Sequence, residues 1–98
     1  MNYVAPSIET IRKYGLESHV RRALGLIHAV RELGENRWSV NGHVVVWDGV
    51  GWLCDCTDYA LKGPSHGYYC KHPLAVCLRS EAYRWRVIEA IEGGMNDR

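Results

Sequence analysis

Four side chains between residues 54 and 72 have the types and the spacing of metal ligands. One residue separates Cys54 from Cys56, one separates Cys70 from His72, and thirteen residues lie between the two pairs. Zinc binds thiolate sulfur at about 2.3 Å and imidazole nitrogen at about 2.0 Å, and four such ligands fill the tetrahedral shell of a structural site. Because alternate residues of an extended strand share a face, Cys54 and Cys56 can reach one ion from a strand end. The pattern predicts one structural Zn2+.

Two disulfides are the main alternative for four cysteines. Cys54 and Cys56 are too close together in an extended segment to pair with each other without strain. The first residues, MNYVAPSIET, lack the basic start, apolar run and cleavage site of a secretory signal. We therefore expect reduced cysteines and an intracellular location, either cytoplasmic or nuclear.

The remaining cysteine and histidines are the other candidate ligands. Cys77 lies on an apolar helical stripe, where free cysteine usually behaves as a small buried hydrophobe. His66 lies in the Gly-, Pro- and Ser-containing spacer between the ligand pairs and is the rival of His72. Three more histidines have no second ligand nearby in sequence, and we expect them to be surface or packing residues: His19, His28 and His43.

The ligand pattern resembles that of the SWIM-type zinc finger, CxC…CxH, and its second pair reads CKH as in that family. The apolar residues that follow, Pro73 to Val76, resemble the family's helix start. The resemblance covers residues 37–78 and favours His72 over His66 as the fourth ligand. It implies two or three short strands before a helix. It also implies a zinc module of the kind found in chromatin-type helicases, transposases and recombination partners, where binding to DNA or to proteins is proposed.

The residues before the finger have helical periodicity. Ser7 is predicted to cap a short amphipathic turn that Gly15 interrupts. Apolar residues then recur at helical spacing, which predicts a helix from Leu16 to Leu33, ending at Gly34.

Alternating residues and turn dipeptides predict a three-stranded meander in the finger. Trp38 and Val40 alternate with polar residues, and Asn41-Gly42 is a hairpin dipeptide. The return strand is His43 to Trp47, and after the turn at Asp48-Gly49 a third strand from Val50 to Cys54 delivers the first ligand pair. Strand alternation points Asp55 away from Cys54 and Cys56. The three tryptophans of this region are predicted to be core, with an open stacking platform as the alternative: Trp38, Trp47 and Trp52.

The second half is predicted to contain a loop and one helix. Residues 59–61 are expected to dip into the core, and residues 62–67 to form an exposed loop. One helical stripe begins with Pro73 in its first turn and ends at Gly93-Gly94, and the last four residues are expected to fray. Its apolar members are Leu74, Cys77, Leu78, Trp85, Ile88 and Ile91.

These elements predict a single α+β domain of 98 residues, SWIM-like in its ββα finger. An N-terminal helical arm covers residues 1–36, the zinc-finger core with its small antiparallel meander covers 37–78, and a C-terminal helix extension covers 79–98. A hydrophobic content of 47% suits one compact domain, and a structural zinc would supplement the small core. No apolar run is long enough to cross a bilayer, so we expect no membrane partner.

Charge and motifs limit the function classes. The formal charge of +1 becomes about zero when three thiolates bind one zinc ion. We expect nucleic-acid binding, with DNA favoured over RNA, and the alternative is a protein-interaction adaptor on a larger nucleic-acid-processing complex. Four ligands leave no open zinc position, and no HExxH, P-loop or nucleophile-elbow motif is present, so we expect neither an enzyme nor a small-molecule substrate. The candidate phosphate contacts are Lys71, Arg79, Arg84, Arg86, Arg21 and Arg22.

Overall fold

Five helices and one four-stranded antiparallel sheet make up the fold in the computed structural model, which describes residues 3–62 and 69–96. The helices are α1 (Ile8–Lys13), α2 (Glu17–Leu24), α3 (Thr57–Lys62), α4 (Lys71–Cys77) and α5 (Glu81–Asn96). The strands are β1 (Val30–Gly34), β2 (Arg37–Val40), β3 (His43–Trp47) and β4 (Trp52–Cys54), paired in the order β1-β2-β3-β4. The predicted α+β class with a zinc-site cluster is confirmed. Within the described residues, no helix is both long and apolar enough to span a membrane.

The start of the chain follows the predicted local signals. The Ser7 hydroxyl accepts a hydrogen bond from the Thr10 backbone N–H at 3.1 Å and caps α1. Gly15 has φ +63°, a conformation that favours glycine, and it turns the chain from α1 into α2.

The predicted helix from Leu16 to Leu33 is wrong beyond Leu24. A 3-10 turn at Ile27–Ala29 follows α2, and β1 then pairs antiparallel with β2, with Val30 opposite Val40. Apolar residues recur at helical spacing in this stretch, but the backbone N–H and C=O groups of β1 form hydrogen bonds with β2 instead of with a helical turn. β1 and β2 form a hairpin around Glu35 and Asn36, so pairing with the next strand outweighs helical periodicity here.

The predicted meander is confirmed, with β1 added to it. Asn41 and Gly42 have φ +51° and +88°, as a type I′ hairpin between β2 and β3 requires. The Asp48 carboxylate accepts hydrogen bonds from the backbone N–H groups of Val50 and Gly51, both at 2.8 Å, and holds the second turn. Strand β4 is shorter than predicted and begins at Trp52.

The core lies between the inner face of the sheet and α4. Trp38, Trp47 and Trp52 are at most 8% exposed, and the Trp52 ring centroid lies 5.6 Å from that of Trp38 and 5.3 Å from that of Trp47. The prediction of core tryptophans is confirmed, and the open stacking platform is wrong. Helix α4 contacts β2, β3 and β4 on one side and packs against α2 on the other. Its position makes α4 the central element of the fold.

The single C-terminal stripe predicted from the sequence is in fact two helices. A turn at residues 78–80 separates α4 from α5, and α5 continues to Asn96, past the glycines predicted to end it. The turn changes which residues of α5 face the core, so Tyr83 and Val87 are buried and Trp85 is 59% exposed. The prediction that Trp85 belongs to the buried stripe is therefore wrong.

The spacer between the ligand pairs contains a helix that the sequence did not predict. Helix α3 occupies its first half, where Tyr59 is half-buried and Ala60 and Leu61 are exposed. Of the loop predicted over residues 62–67, Lys62 ends α3, and residues 63–67, including His66, lie outside the described residues, as do the final two residues of the tail predicted to fray.

Candidate metal centre

Three secondary-structure elements bring the four predicted ligands together. Cys54 ends β4 and Cys56 immediately precedes α3, whereas Cys70 is the N-cap of α4 and His72 lies in its first turn. The three sulfur atoms and one ring nitrogen lie within 4.8 Å of one another. All four side chains are buried, with exposures of 9% or less.

Three of the six distances between ligand atoms are close to the edges of a tetrahedral zinc shell. Bond lengths of about 2.3 Å to sulfur and 2.0 Å to nitrogen require S···S separations of about 3.8 Å and S···N separations of about 3.5 Å. The Cys56 and Cys70 sulfurs are 3.7 Å apart, and His72 Nδ1 lies 3.4 Å from Cys54 Sγ and 3.8 Å from Cys70 Sγ. The residues therefore fit one zinc ion, bound through Nδ1 of His72.

The electrostatics of the cluster favour a thiolate at Cys54. A hydrogen bond from the Cys70 thiol, opposed by burial and assisted by His72, holds the pKa of Cys54 well below its usual value. The same Cys54–Cys70 contact, together with burial, raises the pKa of Cys70, and burial raises the pKa of Cys56. Zinc binding must therefore displace protons from Cys56 and Cys70.

The fourth cysteine lies outside the cluster. Cys77 is 1% exposed in α4, and burial raises the pKa of its thiol to about 12. It is a buried apolar side chain, as predicted, and it is not among the four clustered ligands.

His43 and Asp55 are neighbours of the centre that sequence reasoning did not identify. Their side chains hydrogen-bond at 3.0 Å, and the His43 ring lies beside the ring of His72, with centroids 4.6 Å apart. The register of β3 and β4 places Val45 opposite Cys54, so the start of β3 reaches the zinc end of the sheet. His43 precedes Val45 by two residues and so shares its face, but the sequence alone does not give the register that brings this face to Cys54.

The predicted phosphate contacts lie in several places. Arg79 lies over the Trp38 ring at 6.0 Å, and the Arg84 guanidinium donates to the backbone oxygens of Leu78 and Arg79 at 3.0 and 3.4 Å. These two arginines therefore make intramolecular contacts at the junction of α4 and α5. Arg86 lies 5.8 Å from the centroid of the Tyr83 ring on α5. Of the other three, Arg21 and Arg22 are exposed in the last turn of α2, and Lys71 lines a polar cleft beside the metal ligands.

Comparison with known proteins found a family model that matches the part of the chain containing the metal ligands. Residues 43–81 match the family model of the SWIM zinc finger, a segment that contains all four ligands. No curated protein and no solved structure matches the chain. The segment from residue 43 to residue 81 is thus similar to the SWIM zinc finger, and its four ligands support one structural zinc ion.

Proposed function

We propose that the chain is a zinc-stabilised module that binds nucleic acid, with DNA favoured over RNA. The observation that carries the proposal is the segregation of charge along a nearly neutral chain. Residues 30–58 hold two basic and five acidic side chains, a net charge of −3, whereas the rest holds ten basic and six acidic ones, a net charge of +4. The basic excess thus belongs to the helical segments on either side of the sheet, and a one-sided excess suits contact with phosphates.

The proposed contact surface is the basic face of α1 and α2. Arg12 and Lys13 are exposed in the last turn of α1, and Arg21 and Arg22 are exposed in the last turn of α2. Arg12 and Arg21 line the same depression of about 610 Å³, and the Arg12 guanidinium also donates to the Ala90 carbonyl oxygen at 3.1 Å. Contacts between such side chains and phosphates would position the protein on nucleic acid without specifying sequence.

Zinc supports this surface through α4. Cys70 and His72 fix the start of α4 to the sheet, and α2 packs directly against α4 with Val20 and Ala23 fully buried. Loss of zinc would therefore loosen the helix that carries Arg21 and Arg22. Catalysis is not part of the proposal, because four protein ligands leave no position for a reactive water.

The test compares two double charge reversals by fluorescence anisotropy with a labelled DNA duplex. Arg21→Glu with Arg22→Glu should weaken binding and lower the dependence of log K on log salt by about two units. Arg31→Glu with Arg37→Glu changes the net charge equally on exposed residues of the sheet and should leave the salt slope unchanged. Equal losses in both variants, or no binding by the zinc-loaded wild type, would reject the proposed surface.

A second candidate function is docking to a protein, and Trp85 is the observation that favours it. The Trp85 side chain is 59% exposed on α5, among the exposed residues Glu81, Glu89 and Glu92. An exposed tryptophan bordered by carboxylates suits an apolar pocket with a basic rim, and such side chains often dominate interface energies. Affinity capture with the nuclease-treated wild type and with Trp85→Ser tests this candidate. A partner retained by both forms would argue against docking through Trp85.

A further inference from the structure

Asp55 and His43 form a hydrogen-bonded pair across the zinc end of the sheet. One carboxylate oxygen of Asp55 accepts from the Val44 backbone N–H at 3.2 Å and lies 3.0 Å from His43 Nδ1. The backbone N–H of Asp55 donates to the carbonyl oxygen of Val44 at 3.3 Å, so Asp55 is attached to β3 through both its backbone and its carboxylate. The pair therefore holds the His43 ring in one orientation.

That orientation places His43 against a zinc ligand. The rings of His43 and His72 are tilted by 37° with centroids 4.6 Å apart, which is stacking distance for two imidazoles. His72 is 3% exposed, whereas the His43 side chain is 42% exposed, so His43 lies between the ligand ring and solvent.

A polar cleft of about 280 Å³ connects this corner with the metal ligands. Its lining includes three of the four ligands, Cys56, Cys70 and His72, and His43 forms part of its wall. Asn41, Thr57, Asp58 and Lys71 complete the lining. An incoming chelating group would reach the ion through this cleft, beside His43.

The His43–Asp55 pair is expected to affect zinc retention more than folding stability. Ion pairs between exposed side chains contribute little to stability, and the Asp55 side chain is 55% exposed. Hydrogen-bond partners of a metal-bound histidine, by contrast, typically change metal affinity by about 10- to 100-fold when they are removed, and we expect a stacked ring to act at the lower end of that range. An effect on zinc retention should therefore exceed any effect on folding.

We propose that His43 and Asp55 belong to the metal centre as positioning residues. Asp55 holds the His43 imidazole against His72, and this ring fixes the orientation of the ligand and slows the escape of zinc through the cleft. The pair goes beyond the four-ligand motif, and its role does not depend on what the module binds.

The experiment measures the rate of zinc transfer from the loaded protein to the chromogenic chelator 4-(2-pyridylazo)resorcinol. His43→Ala removes the ring, His43→Phe keeps a ring without the hydrogen bond, and Asp55→Asn removes the charge that holds it. Asp48→Asn is the matched control, because Asp48 also accepts backbone hydrogen bonds but does so in the β3–β4 turn. We expect His43→Ala to release zinc about 10-fold faster, His43→Phe and Asp55→Asn to be intermediate, and Asp48→Asn to match the wild type.

A spectroscopic measurement separates positioning from general destabilisation. Substituted Co2+ reports ligand geometry through its visible d–d bands, so His43→Ala should shift these bands while Asp48→Asn leaves them unchanged. Equal transfer rates and identical Co2+ spectra in His43→Ala and the wild type would overturn the proposal. If His43→Ala does not fold, Asp55→Asn decides, because wild-type rates and spectra in that variant would equally overturn it.

Discussion

The sulfur atoms of Cys56 and Cys70 lie 3.7 Å apart, although thirteen residues separate them in the chain. That separation is about one edge of a zinc–thiolate tetrahedron. A zinc ion bound there joins the end of the sheet to the first turn of α4. Since α4 is also the element against which α2 packs, one ion links both halves of the chain.

The buried thiol of Cys77 predicts a loss of stability at alkaline pH. Burial raises its pKa from 9.0 to about 12, so the thiol stays protonated in the folded protein while it ionises in the unfolded chain. The stability it contributes is complete below about pH 9 and is lost as the pH rises towards about 12. Wild type should lose about 1 kcal/mol more unfolding free energy between about pH 8 and 10 than Cys77→Ala does.

Denaturant unfolding at several pH values measures this difference. Val76→Ala is the matched control, because it truncates the adjacent buried residue of α4 without removing a titratable group. Its stability should fall with pH in parallel with the wild type. Parallel curves for Cys77→Ala and the wild type would show that the thiol ionises equally in both states.

Arg84 is predicted to stabilise the junction of α4 and α5. Its guanidinium donates to the carbonyl oxygens of Leu78 and Arg79, which follow the last turn of α4. Arg84→Gln should lower the free energy of unfolding by about 1–2 kcal/mol, because charged hydrogen bonds to partly buried carbonyls are lost. Arg86→Gln, on the exposed side of α5, should change it by less than about 0.5 kcal/mol. Thermal melts of the zinc-loaded proteins would contradict this assignment if the two variants were equally stable.

Tyr83 is predicted to fasten the N-terminal segment to α5. Its hydroxyl donates to the carbonyl oxygen of Pro6 at 2.6 Å, and the side chain is 7% exposed. Tyr83→Phe leaves that oxygen without its partner and should cost about 1–2 kcal/mol. Hydrogen exchange should show faster exchange in α1, while β3 keeps its protection; unchanged exchange in α1 would argue against the tether.

The sequence was sufficient wherever the determinants are local. The ligand pairs, the Ser7 cap and the Asn41-Gly42 hairpin depend on residues a few positions apart, and the structure has all of them. Strand β1 was missed because apolar residues on both sides of Gly25 imitate one long helix, although β1 pairs with the neighbouring strand β2 across a two-residue turn. His43 was missed for another reason, because its significance depends on the register of β3 with β4.

The exposed position of Trp85 illustrates a different limit. A helical residue turns by about 100° relative to its predecessor, so a break of three residues changes which side chains face the core. The turn at residues 78–80 makes Tyr83 and Val87 the buried residues of α5 in place of the predicted Trp85. Periodicity correctly predicted that this segment is helical, but it could not predict which side chains of α5 face the core after a turn that the sequence did not reveal.

The most direct test of the zinc-centred fold is native mass spectrometry of the purified chain, paired with thermal melts before and after chelation. The wild type should carry one zinc ion per chain and melt cooperatively, and removal of zinc should abolish that melt, because binding energies of about 10–16 kcal/mol are also folding energy. Cys70→Ser should lose stoichiometric zinc and the cooperative melt, whereas Cys77→Ala should keep both. A metal-free wild type, or a Cys70→Ser protein that melts cooperatively without zinc, would contradict the account.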